Sequence, residues 1–143
     1  MTPREQAVYF DDLAPGQALP PETRQSGRAG LFLFSAATWN PHRIHYDREY
    51  AATEGHPDVL VHGPLQGAWL AQYVTDWMGP RGRLVSIEWQ NRGRAFPDTP
   101  YTFTGTVTAL DPGTATVTVS LAEKDEAGAV LMPGTAVVRL PRR

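Results

Sequence analysis

All four histidines of the 143-residue chain, His42, His45, His56 and His62, fall within 21 residues; Asp47 and Asp58 lie in the same window, and Asn40 and Gly63 flank it. Imidazole gains and loses a proton near neutral pH, so this concentration points to acid–base chemistry. Two other chemistries compete for these residue types. His42-x-x-His45 followed by Asp47 could supply three metal ligands. Nothing downstream completes a signature such as His-Glu-x-x-His, and no metal is expected. A serine nucleophile is disfavoured, because Ser26, Ser35, Ser86 and Ser120 all lie outside any Gly-x-Ser-x-Gly elbow. The chain has no cysteine, which removes disulfides, thiolate metal sites and thiol nucleophiles together. Neither a Gly-x-Gly-x-x-Gly turn nor a phosphate-binding P-loop is present, so no cofactor is expected.

The stretch Val61-His62-Gly63-Pro64 is a second point of interest. A glycine directly before the first turn of a helix leaves backbone N–H groups free at the positive end of the helix dipole. Such a place can hold a thioester carbonyl and stabilise the charge that it gains when the neighbouring carbon loses a proton. Gly63 also reads as a plain helix cap, and the residues alone leave both readings open.

The elements that must position these groups are legible in outline. The first 30 residues are polar and turn-rich, with Val8–Leu13 as a short strand or turn and the rest wrapping the surface. Leu31–Phe34 is an apolar run ended by Ser35, which reads as the N-cap of a brief helix over Ala36–Trp39. Tyr46–Thr53 reads as another short helix, with Asp47 as cap. The strongest helix signal is Pro64–Met78, where Leu65, Trp69, Tyr73 and Trp77 recur every four residues and most other positions are apolar. A helix so apolar around its circumference is expected to be buried, and Gly79-Pro80 stops it. Strand patterns follow over Leu84–Gln90, Tyr101–Leu110, Thr114–Ala122, Ala129–Met132 and Thr135–Leu140, separated by tight turns. The predicted fold class is α+β: one domain over residues 1–143, an antiparallel sheet wrapped around a central buried helix, which is the hot-dog architecture. Its exposed edge strand predicts a homodimer or higher homo-oligomer.

Composition narrows the function further. Hydrophobic residues make up 41% and charged residues 20%, as in an ordinary globular domain. Thirteen basic against 15 acidic side chains give a net charge of −2, which lacks the footprint of a nucleic-acid binder. No apolar run in residues 1–30 is long enough for a secretion signal, and none elsewhere suits a membrane span, so a cytoplasmic location is expected.

The run Phe34-Ser35-Ala36-Ala37-Thr38-Trp39-Asn40-Pro41-His42-Arg43-Ile44-His45-Tyr46-Asp47, then Tyr50-Ala51 and Leu60-Val61-His62-Gly63-Pro64-Leu65, resembles the MaoC-like hydratase/dehydratase family. Within it the wording is similar to the 3-hydroxyacyl-thioester dehydratases and mesaconyl-CoA hydratase-like proteins. The opening Tyr9-Phe10-Asp11-Asp12-Leu13 with Pro15-Gly16 fits the same family. The resemblance implies a hot-dog fold and reversible addition of water to an α,β-unsaturated acyl thioester, carried by coenzyme A or an acyl carrier protein. Better-known members hold the catalytic water with an Asp and a His five residues apart. His45 matches the His, and Asn40 stands where the Asp would be; the family's Asn-Pro pair falls here on His42-Arg43. An amide can orient water but cannot act as a base, so proton transfer is expected to rest on His45. The family's glycine matches Gly63, with His62 and Pro64 beside it as substrate-lining residues. Coenzyme A phosphates would look to Arg92 and Arg94 or to Arg81 and Arg83, and the resemblance implies a second copy or a related hot-dog subunit as partner. A hot-dog thioesterase ranks second, because Asp76 lies too far down the central helix to serve as its usual carboxylate. A non-catalytic acyl-binding subunit is the third reading.

Overall fold

The computed structural model describes residues 7–143. Helix α1 spans Arg28–Ala37, α2 Arg48–Thr53 and α3 Gly63–Met78. The strands are β1 (Glu22–Arg24), β2 (Arg83–Trp89), β3 (Tyr101–Asp111), β4 (Thr116–Lys124) and β5 (Val130–Arg139). They form one antiparallel sheet in the order β1-β3-β4-β5-β2, and α3 packs across its inner face. This is the α+β arrangement that the order of elements predicts.

The sheet buries one face by simple alternation. Tyr101, Phe103, Gly105 and Val107 of β3 point inward with Val117, Val119 and Leu121 of β4. Register shifts at Val107/Ala109, Leu84/Ser86 and Glu123/Lys124 add the local twist that lets the sheet curl. Helix α3 is less enclosed than its composition suggests. Gln66, Gly67, Leu70, Tyr73, Val74 and Met78 form a buried face, while Pro64, Ala68 and Gln72 are exposed. Gly67 sits under the Trp89 indole: a Cβ there would lie 2.3 Å from its ring carbons. The helix stops at Gly79, whose φ of 73° suits glycine.

Two sequence expectations need correction. The helix predicted over Ala36–Trp39 begins eight residues earlier, so Ser35 lies inside α1, buried, and Gly27 is the N-cap. The Leu31–Phe34 run contains no β-branched residue to oppose helix, and Leu31 and Ser35, four apart, share the buried side. Trp39 falls beyond the helix, with positive φ and 86% exposure. The two strands expected on either side of Pro133-Gly134 are one strand, β5, whose register with β4 runs through as Ala122↔Pro133 and Leu121↔Gly134. Gly134 allows this because the Glu88 carbonyl of β2 crowds it: a Cβ there would lie 2.8 Å from that oxygen.

The turn-rich N-terminal segment does more than wrap the surface. Residues 22–24 form β1 on the free edge of β3, and Arg24 reaches Glu22, Gln72 and Asp76, tying that edge to α3. Val8–Leu13 holds a 3-10 turn over Phe10–Asp12, to which Arg142 and Arg143 pair through Asp11 and Asp12. On the inner face Glu123 is fully buried between Phe103 and Met132, with no hydrogen-bond partner for either oxygen. Burial pushes its carboxyl up to about 7.

Candidate active site

Three short segments meet around His45: the 3-10 turn Arg43–His45, the stretch Leu60–His62 that leads into α3, and α1. Asp47 fixes the first of them. One of its oxygens accepts from Tyr50 N–H at 3.0 Å and caps α2, while the other pairs with Arg43 at 2.5 Å. The second segment is laced to the first and to the sheet side: Leu60 N–H donates to Ile44 O at 2.9 Å and Val61 N–H to Ala95 O at 2.8 Å.

The imidazole of His45 is almost enclosed, at 8% exposure. Its Nδ1 lies 2.9 Å from Leu60 O. A carbonyl can only accept, so Nδ1 carries the proton and Nε2 presents a lone pair. Burial, the largest influence, holds the pKa of this group below its ordinary 6.5, and a neighbouring His42 acts the same way. His45 is thus a neutral base of known orientation at physiological pH.

The ring of His62 stacks on His45, with centroids 3.7 Å apart and 16° between planes. It is fully buried, its Nε2 is 2.7 Å from Ser35 Oγ, and Phe34 meets it edge-on at 4.8 Å. Burial, then the nearby His45, pushes its pKa down to about 4. Two imidazolium rings face to face would repel in a dry site, so His62 stays neutral and serves as the flat wall on which His45 rests. This is a different place from the substrate-lining position the sequence assigns it, because no surface of the ring is open.

The four histidines divide into two pairs. His45 and His62 form the inner one. His42 lies outside against Glu54 at 3.6 Å, and His56 contacts Arg94. Among the described residues no three His, Asp or Glu groups converge in a metal-binding cluster. Asn40 is half-buried, its Oδ1 accepts weakly from His42 N–H at 3.5 Å, and its Nδ2 has no partner among the described residues. The structure places it on the same loop as His45 without a hydrogen bond between them.

Gly63 is the first residue of α3, His62 the N-cap, and Pro64 the second helical residue. The Gly63 N–H has no carbonyl one turn back to bind, and proline supplies no competing donor. Asn91 lies close over this glycine: a Cβ would come within 2.6 Å of Asn91 Nδ2, and that side chain would have to swing aside. A cavity of about 240 Å³ opens beside this turn, lined by Leu60, Val61, Gln66 and residues 91–94. Sequence reasoning missed Ser35, Gln66 and Asn91. Gln66 carried a signal, as a polar residue on the apolar helix; Asn91 carried none. A larger cavity of about 640 Å³ lies toward the other end of α3, among Tyr9, Pro20, Tyr73 and Trp77, away from any histidine.

The sheet curled on one long helix, with a buried imidazole base beside that helix's N-terminus, defines a class, and comparison with known proteins agrees with it. Residues 14–97 match the hydroxyacyl-thioester dehydratase type 2 family. The chain belongs to that family, one of hydro-lyases acting on acyl thioesters. It is 32% identical over 103 residues to the 3-oxo-4,17-pregnadiene-20-carboxyl-CoA hydratase beta subunit of Mycobacterium tuberculosis, covering 71% of this chain and 80% of that one. A 43-residue stretch is 58% identical to mesaconyl-C(4)-CoA hydratase of Chloroflexus aurantiacus; the match takes in 29% of this chain and only 15% of that protein. The solved R-hydratase of Pseudomonas aeruginosa shares the hot-dog fold, with a TM-score of 0.88 at 22% identity over 97% of this chain and 89% of that one.

Proposed function

We propose that the hydration and dehydration of acyl thioesters proceeds here with His45 as the single acid–base group. In the hydration direction Nε2 removes a proton from water as the water oxygen bonds to the β-carbon. The double-bond electrons move toward the thioester carbonyl, whose oxygen is held by Gly63 N–H at the positive end of α3. The imidazolium then returns the same proton to the α-carbon, and its depressed pKa favours that return. Asn40 orients the water through its unpartnered amide, and Pro64 lines the approach. Leu60 O carries this reading: it fixes the His45 tautomer so that the lone pair is on the nitrogen that Leu60 does not hold.

The remaining proposals concern the molecule around the site. We take residues 1–143 as one domain acting in the cytoplasm; among the described residues no helix is long and apolar enough to cross a membrane. Strand β2 is an open edge of the sheet and exposes Val85 and Trp89, which supports pairing with a second copy or with a related hot-dog subunit. The test is mass spectrometry of a panel of enoyl-CoA substrates, mesaconyl- and crotonyl-CoA among them, after incubation with the purified protein. Gain of one water with the thioester intact is the expected result. Release of free coenzyme A would establish a thioesterase instead, and tight binding without turnover a non-catalytic acyl-binding subunit.

A further inference from the structure

We propose that Asn91 is a catalytic residue: its side-chain amide joins Gly63 N–H as a second donor to the thioester carbonyl oxygen. Asn91 serves the site in which Gly63 N–H holds that oxygen, and the assignment rests on that reading.

The way strand and helix meet puts Asn91 there. Trp89, the last residue of β2, lies over Gly67, and Asn91 lies over Gly63. Two residues of extended chain cover about 6.6 Å, and four residues of helix about 6 Å. The end of β2 and the residues after it therefore run back along the first turns of α3, with alternate side chains meeting glycines one turn apart. Hydrogen bonds on both sides hold the Asn91 backbone in that track. Gln90 N–H donates to Pro133 O at 3.0 Å, and Arg92 N–H to Leu131 O at 2.9 Å.

The distances bring two donors to one point. Asn91 Nδ2 lies 2.6 Å from where a Gly63 Cβ would stand, and a Cβ is about 2.5 Å from its own nitrogen. Nδ2 and the Gly63 nitrogen are thus within about 5 Å of each other. An oxygen about 2.9 Å from each fits between them, at the spacing that a developing oxyanion requires. A side chain at position 63 would push the amide away, so the glycine keeps the pair together.

Both donors are open. Among the described residues Gly63 N–H, which begins α3, has no acceptor, and Asn91 makes no hydrogen bond. An apolar side chain would fill the groove over Gly63 equally well, whereas a primary amide adds two N–H donors to it. That polarity has the sign that a carbonyl gaining negative charge needs, and the positive end of α3 reinforces it. Asn91 also lines the cavity beside this turn, which gives a bound thioester a path to its amide. His45, which moves the proton, stacks at 3.7 Å on His62, the residue before Gly63. Base and donors therefore adjoin, Asn91 coming from the sheet and His45 from the turn before α2.

The test separates polarising the carbonyl from moving the proton. In the full-length protein, Asn91→Ala and Asn91→Asp are compared with the parent on crotonyl-CoA, or on crotonyl-acyl carrier protein if only that thioester is turned over. In Asn91→Ala kcat is expected to fall about 10²-fold. In Asn91→Asp it falls further, because the shape is kept while a carboxylate faces the developing charge. KM stays within about twofold, and the acid limb of the pH–rate profile, which belongs to His45, does not move. The second readout is the absorption band of bound 2,4-hexadienoyl-CoA, whose conjugated system shifts to the red as its carbonyl is polarised. It is recorded in His45→Ala, which leaves the ligand unhydrated, with and without Asn91→Ala. A red shift that is lost or at least halved without Asn91 upholds the donor, even where no thioester is turned over. Folded Asn91 variants that keep the parent's kcat and the full red shift overturn it and leave the roles of His45 and Gly63 intact. A fall in kcat with the red shift unaltered makes Asn91 a structural residue and also overturns it. If the parent hydrates no thioester and the band does not move at all, the donor and the acyl-thioester reading fall together.

Discussion

At the scale of single residues the account turns on two stacked imidazoles with unequal work. His45 has a fixed tautomer and a lone pair; His62 has a wall to provide and a proton to refuse. Because burial holds His45 below its ordinary 6.5, the acid limb of kcat/KM is expected below pH 6.5. His62→Asn removes the wall, lets water reach His45, and should move that limb upward toward 6.5 while kcat falls; a pH–rate profile of the two proteins checks this. Asn40→Ala is expected to lower kcat by about tenfold or more by releasing the water that the amide orients. Steady-state kinetics would show the loss in kcat more than in KM. Both inner histidines were visible in the sequence as members of a cluster. Their division into an inner and an outer pair was not, because it depends on the Leu60 and Ser35 contacts, which join positions 15 and 27 residues apart.

At the scale of elements, the helix that carries Gly63 and the sheet that holds it were legible, and for a physical reason. A long apolar helix with a proline start and a glycine stop, and strands with period-two alternation, each state their own local rule. Where two rules overlapped, the reading slipped. Ser35 after the apolar Leu31–Phe34 run reads locally as a helix N-cap, whereas the burial of Leu31 and Ser35 on one side places both inside α1. Pro133-Gly134 looked like a break, yet the neighbours on both sides carry β5 through it. A close joint between helix and sheet is Gly67 under Trp89, which no local pattern announces. Gly67→Ala is expected to cost roughly 1–3 kcal/mol, as an overpacked interior does. Denaturant unfolding would register it as a lower midpoint with an unchanged slope.

At the scale of the whole molecule two buried groups set opposing pH dependences of stability. Glu123 titrates at about 7 when folded and near 4.5 when free, so between these values the folded chain keeps a proton that the unfolded chain has lost. Its contribution is complete below 4.5 and is lost as pH rises toward 7, by up to roughly 1.4 kcal/mol per pH unit. His62, at about 4 when folded and 6.5 when free, has the reverse effect: its contribution is complete above 6.5 and is lost as pH falls toward 4. Relative to the parent, Glu123→Gln is therefore expected to gain stability as pH rises from 4.5 to 7, and urea unfolding across that range would detect the trend.

The most direct measurement for the account as a whole is the hydration rate of crotonyl-CoA by His45→Ala, set against the parent at pH 7.5 with circular dichroism confirming that both are folded. If Nε2 of His45 alone takes and returns the proton, kcat falls about 10²–10⁴-fold while the thioester stays intact. A folded His45→Ala protein that hydrates its substrate at the parent's rate would contradict the assignment and move the proton to another group.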